Sequence, residues 1–382
     1  MTLTEKLLRA RAGETVRFAS RWNVLNDENF EKVCAAAPLD ADDEKLILFV
    51  DHIVPANSEE VDKIQTAMRS YAREHKTAYY EGKGIGYLIL AEQLLKKGEI
   101  VCGTGAHIGA VGAAGALGVR LTAEAFAAGL KDSSFSAVVP ESILVRLNGK
   151  KQKGRSVRDT ISRCVLELKK RDLSNVVLEV VGDSLSGLSA AERAEICTLL
   201  TASGAWSVII NDDEPERDGY SGEVTADFSD EKKVILAPDQ AVIPEDGVIP
   251  VKSAFVGGCT GGSIEDIRLV ADVVRGKRVK DFLRFHVCPN TVACYLQAIR
   301  EGLIEVLEDS GVMVTNPHCS TCFGQTQGKI AAGENMISTG LCNAPGAAGS
   351  RLGHIYLAAP EEVARVALCG YIKKEELYGT EI

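Results

Sequence analysis

Three cysteines fall at spacings that can do chemistry. The stretch "TNPHCSTCFGQTQG" puts two residues between Cys319 and Cys322 in a glycine-containing loop, and "AFVGGCTGGSIEDIR" sets Cys259 between glycine pairs in another. A C-x-x-C pair alone serves zinc, redox and iron–sulfur sites. A thioredoxin-type site would leave Cys259 idle, and a structural zinc normally takes four protein ligands. Three thiolates with a fourth position left open suit a [4Fe–4S] cluster in which one iron is not held by protein. The glycines of "GGCTGG" let backbone approach such a cluster and leave N–H groups free to bond to its sulfurs.

A second candidate is the Asp51–His52 pair in "KLILFVDHIVP", an apolar run with a polar tip. A carboxylate beside an imidazole fixes its tautomer and yields a general acid for a leaving hydroxyl. The plainer reading is a polar strand end with a capping or hydrogen-bonding role. His318, next to Cys319, reads either as a hydrogen-bonding group near the thiolates or as an exposed loop residue. His75, His286 and Cys288 are assigned no role.

These residues must be positioned by the elements around them. Short apolar runs alternate with helical stretches: "KLILFV", "TAYYEGKGIGYLIL", "SAVVPESILVRLNG", "NVVLEVVG", "WSVIIND", "VKSAFVGGC" and "FLRFHVCP" read as strands. "SEEVDKIQTAMRSYAREH", "IEDIRLVADVVRG" and "TVACYLQAIREGLIEVLEDSG" carry helical periodicity. The alternation predicts an α/β fold with mostly parallel sheets. In such sheets ligands gather beyond the carboxyl ends of strands, where Asp51, His52, Cys259, Cys319 and Cys322 all fall. The acidic stretch "DDEPERDGYSGEVTADFSDEKK" reads as a loop or hinge before the last domain.

The bulk numbers narrow the function classes. The 382 residues are 46% hydrophobic and 25% charged, a globular balance that excludes wholesale disorder. A formal net charge of -10 argues against nucleic acid as a partner. No apolar run is long enough to span a membrane, and "MTLTEKLLRARAGETVRF" reads as a short helix rather than a signal peptide, so a cytoplasmic protein is expected. Of the 11 cysteines, Cys34, Cys164, Cys197, Cys294 and Cys369 sit among apolar or helical neighbours and read as small core residues.

The whole chain resembles the large subunit of the aconitase superfamily, in particular the 3-isopropylmalate dehydratases. The opening "MTLTEKLLRARAG", the "LFVDHIVPA" motif, "AFVGGCTGGSIEDIRLVADVVRGKRV", "NPHCSTCFGQTQGKIAAGENMIST" and "IYLAAPEEVARVALCGYI" carry the resemblance collinearly. It implies three α/β/α domains, expected at 1–135, 136–247 and 248–382, the last carrying the cysteines. It implies a [4Fe–4S] cluster on Cys259, Cys319 and Cys322, whose open iron acts as a Lewis acid on substrate. It also implies a separate small subunit, because the family's swivelling domain is missing here.

Several family motifs are altered. The "D-S-H-T" loop aligns with Cys102-Gly103-Thr104-Gly105, with His107 three positions beyond the family's His; Tyr87 stands where "G-I-x-H-Q" has His; and "E-A-G-A-x-A-G-I" appears as Ala202-Ser203-Gly204-Ala205-Trp206. The "S-N-R-N-F-x-G-R" stretch, whose arginines hold carboxylates, reads Gly340-Leu341-Cys342-Asn343-Ala344-Pro345-Gly346-Ala347. Neither arginine survives, and no other residue supplies the bidentate fork. Tyr87, His107, Asn343 and Arg351 are therefore the candidate substrate-binding residues, with Asp51 and His52 catalytic. Cys102 and Cys342 raise the further possibility of a thiol-lined pocket. Three functions stay open: a hydro-lyase acting on a non-standard hydroxy acid, an iron–sulfur enzyme of sulfur transfer or C–S cleavage, and a non-catalytic cluster-bearing binding or sensor subunit.

Overall fold

The computed structural model describes residues 1–37, 39, 44–215 and 218–378. Within it the chain packs as two compact units. The first takes residues 1–81, 86–150 and 163–229; the second takes 82–85, 151–162 and the chain from 230 onward.

The first unit holds two all-parallel sheets. In one, the strands run Ala78–Glu81, Leu46–Val50, Trp22–Asn26, Ile100–Gly103, Leu117–Arg120. In the other the order is Ser207–Ile210, Val176–Val181, Glu141–Asn148, Tyr220–Asp227. The Leu46–Val50 strand is buried at every position, as a parallel strand covered on both faces must be, and this explains its unbroken "LILFV". A short antiparallel pair, Thr15–Phe18 with Phe135–Val138, completes the unit. Helix Glu59–His75 starts where Ser58 Oγ accepts the Val61 N–H at 3.3 Å, and it ends at Lys76 in the left-handed region.

The second unit is built on one parallel sheet, in the order Met313–Val314, Arg284–Cys288, Ser253–Gly257, Asn335–Ser338, His354–Leu357. Helix Ile264–Val274 opens with a reciprocal capping box between Ser263 and Asp266, and its buried Ile267, Val270, Ala271 and Val274 join the core of Phe285, Val287, Leu307 and Val363.

Three expectations are corrected. The "GIGYLIL" half of an expected strand is helix Gly86–Gln93, preceded by the short strand Ala78–Glu81. Five consecutive buried residues from Gly86 to Leu90 leave no periodicity that could separate helix from strand. The acidic stretch expected to be a hinge contains the edge strand Tyr220–Asp227, in which Val224 alone is buried. An edge strand facing water keeps a polar sequence, so it reads as a loop. The stretch "TVACYLQAIREGLIEVLEDSG" is two helices, Val292–Arg300 and Leu303–Asp309, divided at Gly302.

Candidate functional site

The first unit collects ionisable groups beyond the carboxyl ends of two neighbouring strands. Asn26 ends the Trp22–Asn26 strand and pairs in register with Phe49, so Asp27 and Asp51 leave adjacent strands side by side. The Asp51 carboxylate is almost wholly buried and well satisfied. Asn26 Nδ2 donates to both its oxygens at 3.0 and 2.9 Å, and the Gly86 N–H donates to Oδ2 at 2.7 Å. His52 Nδ1 lies 2.7 Å from Asp27 Oδ1 and 2.9 Å from Asp51 Oδ1, while Nε2 sits 3.4 Å from Glu28 Oε2.

This geometry sets the charges. Burial would push the His52 imidazole down, but the negative charge of Asp51 and the Asp27 carboxylate override it and hold the ring well above its ordinary value. Burial likewise pushes Asp51 up, and is outweighed by His52, the Gly86 N–H and Asn26, leaving its carboxyl below the usual value. The ligand atoms of Asp27, Asp51 and His52 lie within 4.8 Å of one another, close enough to share a cation. With Asp51 already bonded by Asn26 and Gly86, and the ring itself positive, the cluster is better described as an imidazolium between carboxylates.

Tyr87 and His107 belong to the same unit. The Tyr87 hydroxyl accepts the Gly105 N–H at 3.1 Å, and a Cβ on Gly105 would come within 2.3 Å of that oxygen, so the position requires glycine. Burial, reinforced by the positive charges of His52 and Arg120, pushes His107 down to about 4 and keeps it neutral. Asn26 Oδ1 and Thr104 Oγ1 are buried without a hydrogen-bond partner among the described residues. Asn26, Asp27 and Glu28 were not among the sequence candidates; the signal that could have found them is the polar run "NDEN" directly after the short strand-like "WNVL". Cys102, by contrast, lines no pocket. It is fully buried among Leu25, Leu117 and Val119 on the Ile100–Gly103 strand, and burial pushes its thiol up.

In the second unit the two cysteine loops adjoin. A Cβ built on Gly258 would sit 3.5 Å from Cys319 O and 3.7 Å from Cys322 Cβ, which puts the residue before Cys259 against the paired cysteines. A Cβ on Gly340 would lie 3.6 Å from Cys322 Sγ. Cys259 is buried, and Cys319 and Cys322 are half-buried. The turn after the Asn335–Ser338 strand joins the group: Gly257 N–H donates to Thr339 Oγ1 at 3.0 Å and Thr260 Oγ1 donates to Thr339 O at 2.8 Å. The buried Arg158 guanidinium spans the same turn, donating from Nη1 to Thr339 O and from Nη2 to Gly340 O.

His318 is fully buried, not on an exposed loop, with its Nδ1 2.6 Å from Asn316 O. Between the paired cysteines, Thr321 Oγ1 donates to Gln327 O at 3.1 Å and lies 2.5 Å from His286 Nε2. Asn343 is tied back by a 3.1 Å bond from Nδ2 to Ala237 O, and Arg351 is exposed. Cys342 is exposed as well, its Sγ accepting the Ala344 N–H at 3.4 Å. Thus Asp51, His52, Tyr87 and His107 are gathered in one unit, and the three cysteines in the other.

The sequence profile of the Aconitase family (aconitate hydratase) matches residues 11–222 and 223–370. The chain is 30% identical over 387 residues to a 3-isopropylmalate dehydratase large subunit of Pyrococcus horikoshii, spanning 97% of this chain and 98% of that one. It is 28% identical over 418 residues to a homoaconitase large subunit of Thermus thermophilus, spanning 100% and 99%. Among solved structures, Thermococcus kodakaraensis aconitase X in its holo-form shares the fold with a TM-score of 0.54 at 12% identity, over 94% of this chain and 87% of that one. No helix among the described residues is long and apolar enough to cross a membrane.

Proposed function

Since the chain belongs to the aconitase family, we propose that it is the large subunit of an iron–sulfur hydro-lyase that removes water from a hydroxy acid. One observation carries the acid–base part of this reading. Two imidazoles of one unit are displaced in opposite directions, His52 upward by its carboxylates and His107 downward to about 4. Titratable groups pushed apart in this way divide acid and base roles between them.

His52 is the general acid. Its Nδ1–H is held by Asp27 and Asp51, and the proton delivered to the departing hydroxyl is the one on Nε2, which faces Glu28 Oε2. Asp51, fixed by Asn26 and Gly86, keeps the ring charged and oriented. His107, kept neutral, accepts a hydrogen bond from the substrate, and Tyr87 shapes the pocket through its bond to Gly105.

Cys259, Cys319 and Cys322 would hold the [4Fe–4S] cluster. The donor set fits it: three thiols on adjoining loops, with Gly258 and Gly340 presenting no side chain beside Cys322 and the buried Ser320 Oγ between two of them lacking a partner among the described residues. When bound, such a cluster supplies Lewis-acid polarisation of the substrate's hydroxyl and carboxylate.

The substrate differs from a di- or tricarboxylic acid of the usual kind, because no arginine occupies 340–347, where a bidentate clamp would stand. Asn343 and Arg351 are the remaining polar groups around that loop. The relatives named above are large subunits, and a separately encoded small subunit completes this enzyme and supplies the base that removes the carbon-bound proton.

The test is anaerobic loading with iron and sulfide, then a panel of hydroxy acids assayed with the candidate small subunit for formation of the carbon–carbon double bond. We expect about four irons per chain and turnover of at least one hydroxy acid, lost in His52→Gln with iron content unchanged. Failure to bind iron, or full activity in His52→Gln, overturns the reading.

A further inference from the structure

Ser320 lies between two of the three proposed ligands, and its side chain is fully buried. Its hydroxyl finds no hydrogen-bond partner among the described residues. Its neighbour behaves differently: Thr321, equally buried, donates to Gln327 O and is met by His286 Nε2. A buried hydroxyl left unpaired costs roughly 1–3 kcal/mol. The chain also bends to place this residue, for Ser320 adopts φ 51°, a left-handed conformation that a non-glycine residue adopts at a cost. A serine held there gains nothing from the protein.

We propose that the Ser320 hydroxyl donates its hydrogen bond to a sulfur of the bound cluster, either a bridging sulfide or the thiolate of Cys319 or Cys322, and so tunes the cluster. This rests on the cluster reading above. Sulfur in a cluster gains negative charge on one-electron reduction, so an O–H aimed at it stabilises the reduced form more than the oxidised one. Ser320 therefore raises the cluster's reduction potential. It is a positioning and tuning residue and does not touch substrate.

The test compares the wild-type chain with Ser320→Ala and Ser320→Gly after anaerobic reconstitution. Iron and sulfide are quantified first, then the potential is measured by titration with dithionite and mediator dyes, followed by EPR of the reduced cluster. We expect normal cluster content and a lower potential in both variants. A several-fold change in the reduced-to-oxidised ratio at fixed potential is expected; tenfold corresponds to about 59 mV for one electron. Both variants remove the hydroxyl, but glycine relieves the left-handed strain and alanine keeps it, so equal shifts in the two assign the effect to the hydroxyl.

Unchanged potentials in both variants, with clusters present, overturn the tuning role and leave the cluster reading intact. A shift in Ser320→Gly alone, the variant that relieves the strain, assigns the effect to the backbone and also overturns it. Absence of iron and sulfide in the wild-type chain is a different result, and it removes the cluster reading itself.

Discussion

The Nδ1 of His52 lies 2.7 Å from Asp27 Oδ1, nearer than to its own chain neighbour Asp51 at 2.9 Å. The acid proposed from the Asp51–His52 dipeptide is therefore governed also by a residue twenty-five positions earlier. A ring nitrogen facing two carboxylates keeps its proton far more tightly than one facing a single partner.

Replacing Asp27 by Asn removes one of those charges and lets burial pull His52 back down. The expected outcome in an NMR titration of the ring is a lower pKa in Asp27→Asn than in the wild type. In the assay, the limb on which activity is lost as pH rises moves to lower pH. An unmoved ring titration counts against Asp27 as the residue that sets this charge.

The same pair makes stability depend on pH. His52 is raised above its unfolded value of about 6.5, so its contribution is fully present below that pH. It is lost as pH rises through the folded value. Thermal melts followed by tryptophan fluorescence, begun just below the ordinary imidazole value and carried several pH steps above it, should show this fall in the wild type and a smaller one in His52→Gln.

Gly340→Val places a side chain beside Cys322, where even a Cβ would lie 3.6 Å from Sγ and 3.1 Å from Ser338 Oγ. Iron content after reconstitution should drop markedly while the iron-free variant folds as the parent does. Iron loading equal to that of the wild type would show that this side of Cys322 does not face the cluster.

Arg158→Lys keeps the charge but gives up the planar fork that reaches two carbonyl oxygens at once. One buried carbonyl left unpaired costs about 1–3 kcal/mol, so the urea midpoint should fall and iron binding weaken with it. An unaltered midpoint would mean that lysine or water satisfies both carbonyls.

The parts of the proposed site legible in sequence are those with rare chemistry at recognisable positions. Cys259, Cys319 and Cys322 stood out because thiols in glycine-rich loops have few structural uses, and Asp51–His52 because a buried strand ends there. Asp27 was hidden: "NDEN" after the short strand-like "WNVL" reads as any polar turn, and only the register of two parallel strands brings it to His52. The same limit of local information concealed the Gly86–Gln93 helix, whose apolar run has no period, and the Tyr220–Asp227 strand, whose polar surface is a property of the sheet edge. Cys102 shows the opposite error, a position aligned with an active-site loop whose side chain turns into the core. The parallel α/β fold followed from alternation of elements repeated along the chain, which survives single misreadings.

The turn at Thr339 and Gly340 is gripped through its carbonyl oxygens by Arg158 and Thr260, and Asn343 is fastened to the Ala237 carbonyl. Carbonyl oxygens are present in every amino acid, so a grip of this kind is blind to side-chain identity at the gripped positions. The exposed residues 342, 344 and 345 can then be exchanged by mutation without surrendering the path of the chain beside Cys322. In the hydro-lyase proposed above, such a grip would hold the cluster loops as a fixed trait and leave the neighbouring side chains open to selection, one exchange at a time.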